Sequence, residues 1–240
     1  MPPTSYGTLY LIPVTLGDDR HEPVLPAEVV NIARRLENFV VENEKSARRF
    51  LGSIKTLRPV RELALSTLNE HTQDKEIPAL LAPLLVGQDV GIMSEAGCPG
   101  IADPGAKLVA LAHRRGIRVK PLVGPSSILL ALIASGLDGQ RFSFLGYLPA
   151  EKSARNLRLR EIEKHSAKAN ETQIFIETPY RNQHLFDDIL ASCQSQTRLC
   201  VASNLTLESE LIQTRTIAEW QKLTAPPLQK QPTVFLLLAS

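Results

Sequence analysis

The chain has 240 residues, 43% hydrophobic and 22% charged, enough to bury a sizeable core in one large domain or two of ordinary size. Its formal net charge of +2 and pI near 8.5 permit a nucleic-acid partner without requiring one. No positively charged start leads into an apolar stretch, and no run approaches the roughly 20 apolar residues that span a bilayer, so neither a secretory signal nor a membrane span is expected.

In chain order, residues 1–5 read as a loose end and 9–14 as a first strand, followed by the turn Leu16-Gly17-Asp18-Asp19. Leu25, Val29, Ile32 and Leu36 keep a helical period, which predicts a helix over 26–35. A short strand at 39–41 runs into Glu42-Asn43-Glu44-Lys45, and a helix over 46–51 carries Arg48 and Arg49. A strand at 63–67 precedes Asn69-Glu70-His71, where a lone histidine after a strand is most simply a turn residue. Leu80, Leu81, Leu84 and Leu85 give 74–86 an apolar helical face, with Pro78 and Pro83 kinking or breaking it.

The most informative stretch is 90–127. Val90 to Met93 reads as a buried strand ending in a loop of small residues and turn formers, 94–105. Asp103 suits a helix N-cap and Pro104 a first turn; Leu108, Val109, Leu111 and Ala112 recur with helical spacing and Gly116 closes the helix. A strand over 119–123 runs into Gly124-Pro125-Ser126-Ser127, which opens an almost wholly apolar helix over 128–134. An ordinary strand–helix–strand unit accounts for either loop alone. Two small-residue loops at the C-terminal ends of neighbouring strands form a pocket, and in open α/β sheets ligands sit at that edge, where glycines let them approach the backbone.

Beyond Gly136 a strand at 142–148 ends at Pro149. Residues 151–170 form a charged helix, with Lys152, Arg155, Arg158, Arg160, Lys164 and Lys168 set against Glu151, Glu161 and Glu163; interspersed signs favour a solvated face. Strands at 172–176, 199–203, 210–214 and 234–238 alternate with helices at 183–191 and 217–223 and a proline-rich loop at 226–232. Two α/β domains are expected, 1–122 and 123–240. Cys98, Cys193 and Cys200 lack metal-ligand spacing and the histidines form no HExxH-type cluster, so reduced thiols in a cytoplasmic protein without a metal site are expected.

The run Ala96-Gly97-Cys98-Pro99-x-Ile101-x-Asp103-Pro104-Gly105, followed at the right distance by Gly124-Pro125-Ser126-Ser127 and Ala134-Ser135-Gly136-Leu137, resembles the tetrapyrrole methylase superfamily. Within it the chain is most similar to the ribosomal RNA small-subunit methyltransferase I family. Gly7-Thr8-Leu9-Tyr10-Leu11-Ile12-Pro13 looks like that family's opening strand, the segment from Arg141-Phe142 to Leu148-Pro149 like its "RFxxxGFLP", and Ile174-Phe175-Ile176-Glu177-Thr178-Pro179-Tyr180-Arg181 like its "IFYESxxR". Asn69 and Glu70 match its "HDHNE". There are departures. The family's "AEDTR" is here Val41-Glu42-Asn43-Glu44-Lys45, keeping Glu42 and a basic residue one position over; its "TPIGNL" is Pro13-Val14-Thr15-Leu16-Gly17-Asp18; and Ser240 stands just past the last strand, where family members carry a further piece.

The resemblance implies two α/β domains of the tetrapyrrole methylase type with S-adenosylmethionine in the cleft between them, a homodimer, and methylation of a ribose 2′-hydroxyl in small-subunit ribosomal RNA. Leu16, Ala96, Gly97, Cys98, Ile101, Ser126 and Ser127 would line the cofactor from the first domain, and Glu177, Asn204 and Leu238 from the second. Serine hydroxyls at a helix start suit the anionic end of such a ligand. Cys98 replaces an Asp or Thr common in relatives and reads as a small tolerated residue rather than a reactive thiol. Methyl transfer from a sulfonium mainly requires that the reactants be positioned. A ribose hydroxyl also benefits from a base, for which Glu42 and Glu95 are the candidates. Lys45, Arg48 and Arg49 would meet phosphates, or would simply form a solvated turn. Two other readings stay open: a methylase of a tetrapyrrole or other small molecule, with a roomy apolar trough in the first domain, and a non-catalytic RNA- or protein-binding descendant of the fold.

Overall fold

The computed structural model describes residues 5–18 and 20–239; Asp19, Ser240 and all but Ser5 of the expected loose end lie outside the described residues. The chain forms two compact units, Met1–Ser126 and Ser127–Ser240.

The first unit is a five-stranded, wholly parallel sheet. Its elements are β1 (Thr8–Leu11), α1 (Ala27–Arg35), β2 (Asn38–Val41), α2 (Glu44–Ser53), β3 (Ala64–Thr67), α3 (Ala82–Leu85), β4 (Val90–Met93), α4 (Gly105–Arg114) and β5 (Arg118–Pro121). The strand order is β3-β2-β4-β1-β5. Central parallel strands are covered on both faces and so read as continuous apolar runs. The period-two alternation of a strand then sorts their side chains between two cores. Phe39 and Val41 pack with Ile12, Val29, Ile32, Phe50 and Leu51, while Val40 and Ile92 pack with Leu9, Leu81, Leu84, Leu108 and Ala112. Gly91, opposite Phe39 in the ladder, has no space for a side chain: a Cβ there would stand 2.4 Å from Ile12 Cδ1.

Several boundaries differ from the sequence expectation, each for a local reason. The first strand stops at Leu11, before Pro13, which has no N–H to give; Val14 instead forms an isolated antiparallel bridge with Gly97. Residues 74–86 are broken, with a 3₁₀ turn over Ile77–Leu81 and the single turn α3, each with a proline at its start. Helix α2 is longer than expected because Asn43 caps it: its Oδ1 accepts from the amides of Lys45 at 2.9 Å and Ser46 at 3.2 Å.

The second unit contains α5 (Ser127–Ser135), β6 (Phe142–Tyr147), α6 (Lys152–Ala169), β7 (Thr172–Ile176), α7 (Asn182–Ser192), β8 (Arg198–Ser203), β9 (Leu211–Thr216), α8 (Ile217–Trp220) and β10 (Thr233–Leu238). Its strand order is β6-β7-β10-β8-β9; β6 and β7 are parallel, and every other pair is antiparallel. The buried central strand β10 stacks Phe235 on Phe175, with ring centroids 6.0 Å apart. Trp220 meets Phe186 edge-on and donates its indole N–H to the Leu199 carbonyl at 2.9 Å.

Helix α6 corrects one expectation: it is not a solvated face throughout. Arg155 and Glu163 point inward with Leu159, Ile162 and Ser166, a buried stripe hidden in the sequence by the charges it includes. The Arg155 guanidinium donates to Asp188 Oδ2 at 2.8 and 2.5 Å and to the Ala150 carbonyl at 2.6 Å. Glu163 Oε1 accepts from the Gln194 amide at 2.7 Å and from the Thr197 hydroxyl at 2.5 Å. Among the described residues, no helix is long and apolar enough to cross a membrane.

Removing one partner of a buried ion pair leaves the other charge uncompensated, so Asp188→Ala should destabilise the protein by about 3–5 kcal/mol. Urea unfolding followed by tryptophan fluorescence checks this through Trp220, in the same unit's core. A loss below about 1 kcal/mol would show that Arg155 finds water.

Candidate functional site

In the first unit every strand runs the same way, so the loops after β1, β2, β4 and β5 emerge at one edge. There they are tied together through backbone. The Val14 amide donates to the Gly97 carbonyl at 2.9 Å. Gly97 is buried at φ +70°, and a Cβ on it would lie 3.1 Å from Leu16 Cδ2 and 3.3 Å from the Pro125 carbonyl oxygen. Gly124 packs so closely on Pro13 that a Cβ would come within 2.3 Å of its ring. Cys98 points its sulfur at the same loop, 3.3 Å from the Pro125 carbonyl. Burial pushes its thiol above the usual range, keeping it protonated and a poor nucleophile. Asp103 fixes the far side of the loop, accepting from the amides of Gly100 at 2.8 Å and Gly105 at 2.6 Å.

Thus Leu16, Gly97 and Cys98 are brought together with the 124–125 backbone. Ala96 and Ile101 are exposed on the same loop, and Ser126 ends the neighbouring one, with Ser127 opening α5. The two candidate bases also meet: Glu42 Oε2 accepts from the Glu95 amide at 3.0 Å. Burial raises the Glu42 carboxyl above its ordinary range; the Glu95 amide opposes this, and the nearby charges of Asp103, Glu95 and Glu70 add to it. A cavity of about 10 Å³ adjoins Glu42, Ser94 and Asp103. Lys45 and Arg49 are exposed, and Arg48 is half-buried. Its Nε and Nη2 donate to Glu44 at 2.9 and 2.5 Å, and its Nη1 donates to the Val60 carbonyl at 2.9 Å. His71 is a turn residue whose amide donates to Asn69 Oδ1. Among the described residues, no three His, Cys, Asp or Glu side chains are grouped to hold a metal ion.

In the second unit β7 and β8 both run antiparallel to β10, so their C-terminal ends flank the start of β10. Glu177 and Asn204 stand at that edge, both buried. Glu177 Oε1 accepts from the Thr178 amide at 2.6 Å and from Arg181 at 2.7 Å, while Oε2 is buried without a partner. Asn204 sits at φ +53°, donates from Nδ2 to Ser209 at 3.1 Å, and leaves Oδ1 buried and unpaired. Leu238 does not join them: it pairs with Arg198 at the opposite end of the sheet. The residues of β10 that reach this edge are instead 231–233. The Pro232 carbonyl accepts the Asn204 amide at 2.9 Å, and the Gln231 carbonyl accepts Asn182 Nδ2 at 2.6 Å. Sequence reasoning missed this segment because nothing in an apolar run states which way the strand points.

This fold, one parallel and one mixed sheet each with helices, is shared with solved methyltransferases. The methyltransferase CobJ superposes with a TM-score of 0.63 at 17% identity, covering 99% of this chain and 95% of that one. The uroporphyrin-III-C-methyltransferase of Thermus thermophilus gives 0.56 at 16% identity, covering 97% and 94%. Residues 8–221 match the family model for tetrapyrrole (corrin/porphyrin) methylases, and the chain belongs to that family. Its relatives include proteins named ribosomal RNA small subunit methyltransferase I. That of Vibrio cholerae is 31% identical over 90% of this chain and 71% of its own length. The Xylella fastidiosa protein is 31% identical over 97% and 81%, and that of Escherichia coli O157:H7 is 30% identical over 90% and 71%.

A raised carboxyl means that the folded chain holds the Glu42 proton more tightly than the unfolded chain does. Ionisation of Glu42 therefore costs stability as pH rises from its ordinary value of 4.5 through its raised folded value, and the cost stays constant above that. Glu42→Gln keeps an acceptor for the Glu95 amide and removes the charge. Urea midpoints measured between pH 4.5 and 7 should therefore fall less with pH in the variant than in the parent. Parallel curves would show that Glu42 is not held in a desolvated state.

Proposed function

We propose that this methyltransferase uses S-adenosylmethionine and acts on RNA, with a ribose 2′-hydroxyl of small-subunit ribosomal RNA as acceptor. The observation that carries the reading is the edge around Gly97, where three loops approach so closely that glycine backbone faces Leu16, Pro13 and the Pro125 carbonyl. The names of the relatives support the choice of acceptor.

The residues present fit the cofactor. Glu177 Oε2 and Asn204 Oδ1 are buried acceptors lacking donors, and the ligand brings amine and ribose hydroxyl donors. Ala96, Gly97, Cys98 and Ile101, with Leu16, Ser126 and Ser127, would hold it from the first unit; Glu177, Asn204 and the 231–233 segment would hold it from the second. Leu238, at the far end of its strand, has no part in this reading. When bound, S-adenosylmethionine supplies an electrophilic methyl. The protein's own contribution is orientation, and removal of the acceptor proton by Glu42, whose raised basicity brings it nearer working pH. Lys45 and Arg49 meet phosphates near that base. The reading includes a homodimer acting in the cytoplasm.

Calorimetric titration with S-adenosylmethionine should give micromolar binding. In Gly97→Ala a Cβ would stand in a left-handed conformation costing roughly 1–2 kcal/mol and would crowd Leu16, so affinity should fall at least about tenfold while the fold persists by circular dichroism. Absence of binding in folded, cofactor-free protein would overturn the reading. With undermethylated small ribosomal subunits as acceptor, Glu42→Gln should lower the rate of methyl transfer about 100-fold at unchanged cofactor affinity. An unaltered rate would remove Glu42 as base.

A further inference from the structure

The outer face of α6 is strongly cationic. Arg155 and Glu163 point inward, which leaves Lys152, Arg158, Arg160, Lys164 and Lys168 exposed against Glu161, the one exposed carboxylate of this helix among the described residues. Arg158 is paired with Glu161 at 3.1 Å, and Lys152 lies 3.8 Å from Asp188. Arg160, Lys164 and Lys168 have no such partner among the described residues. Four residues apart, they form a stripe with one cation per helical turn, spaced by about 6 Å of rise. Leu157 lies on the same face and is 61% exposed.

The helix begins at the end of the sheet that carries two exposed tyrosines, and the stripe starts about two turns further along it. Tyr147 ends β6, level with Ile176 in the ladder, and is 58% exposed; Tyr180, in the turn after Glu177, is 71% exposed. Ile176 is the last residue of β7, and Tyr180 follows four residues later in the turn beyond it, so both tyrosines lie at the same end of the sheet. Because β6 and β7 are parallel, α6 starts at this edge and runs back along the sheet, carrying its cations away from the corner. Exposed aromatic faces followed by a line of cations are what an unpaired nucleic-acid strand requires: every base offers a face for stacking and every nucleotide a phosphate. A duplex would present phosphates to the stripe but no free base to the rings.

We propose that this corner of the second unit is a path for single-stranded RNA, with bases stacking on Tyr147 and Tyr180 and successive phosphates following Arg160, Lys164 and Lys168. The proposal rests on the reading of the acceptor as RNA and adds where the strand flanking the acceptor is held.

The test is equilibrium binding of a short fluorescent single-stranded RNA of mixed sequence over a salt series. In the Arg160→Gln, Lys164→Gln, Lys168→Gln triple variant the slope of log affinity against log salt should fall by about 2, at roughly 0.7 for each phosphate that is no longer neutralised, with affinity for S-adenosylmethionine unchanged. Tyr180→Ala should weaken RNA binding roughly tenfold with an unchanged salt slope, and Tyr180→Phe should retain it. A triple variant with the parental slope, a Tyr180→Ala variant with the parental affinity, or a duplex of the same sequence bound more tightly would each overturn the path. If the parent protein binds S-adenosylmethionine but no RNA, the RNA reading itself fails and this proposal falls with it.

Discussion

Three stretches of backbone must pass each other at one edge of a parallel sheet with almost no side-chain atoms between them. This constraint organises the first unit. Gly124 lies against the ring of Pro13, Gly97 lies against Leu16 and the Pro125 carbonyl, and the Val14 amide bonds to Gly97. A Cβ has no room at Gly124 and little at Gly97, and the contacts join the loops that follow β1, β4 and β5. The shortness of β1 follows from it: Pro13 ends the regular ladder, and the chain turns to pair with the 97 loop instead. So does the protonated thiol of Cys98, which fills a gap between loops and is desolvated there. Asp103 completes the arrangement by accepting two amides of the same loop with its carboxylate, so one side chain and the Val14–Gly97 backbone bond together fix the edge.

The second unit reaches a comparable edge by a different route. Its central strand runs against its neighbours, so the start of β10 lies among the ends of β7 and β8. The acceptors there are side chains rather than loop backbone. A carboxylate oxygen and an amide oxygen are buried without donors, an arrangement that carries a desolvation cost unless something else supplies hydrogen atoms. One edge is built mainly from close-packed loops; the other carries buried side-chain acceptors without donors.

Much of this was readable in the sequence, for physical reasons that also mark where reading stops. The apolar runs of β2, β4 and β10 and the helical periods of α1 and α4 are one-dimensional records of burial, and they located the elements to within a few residues. The small-residue loops were readable because only residues lacking bulk permit such close approach. Strand direction is not written in composition, which is why Leu238 was grouped with Glu177 and Asn204 although it lies at the other end of the sheet. Pairing of charges is equally invisible. The inward Arg155 and Glu163 look like any other charges of α6, and nothing in the sequence shows that Arg48 is tied to Glu44 and the Val60 carbonyl.

Charge is divided between the units in a way that bears on how a polyanion is held. Around the candidate base the first unit gathers Glu42, Glu70, Glu95 and Asp103, whose mutual repulsion contributes to the raised Glu42 carboxyl, and Arg48 nearby is neutralised by Glu44. Such an edge suits a neutral hydroxyl that must lose a proton, and it opposes the close approach of many phosphates. For the RNA substrate proposed above, most of the affinity, which comes chiefly from phosphate contacts, would have to come from other surfaces. The exposed face of α6 has the required sign and carries its cations at helical intervals, with Glu161 as its one exposed carboxylate among the described residues. Keeping cations out of contact with the candidate base has a chemical consequence as well. A lysine or arginine in contact with the Glu42 carboxyl would stabilise its ionised form and lower its basicity, so in the proposed reading the cations that meet phosphates, Lys45 and Arg49 included, have to stand clear of that carboxyl.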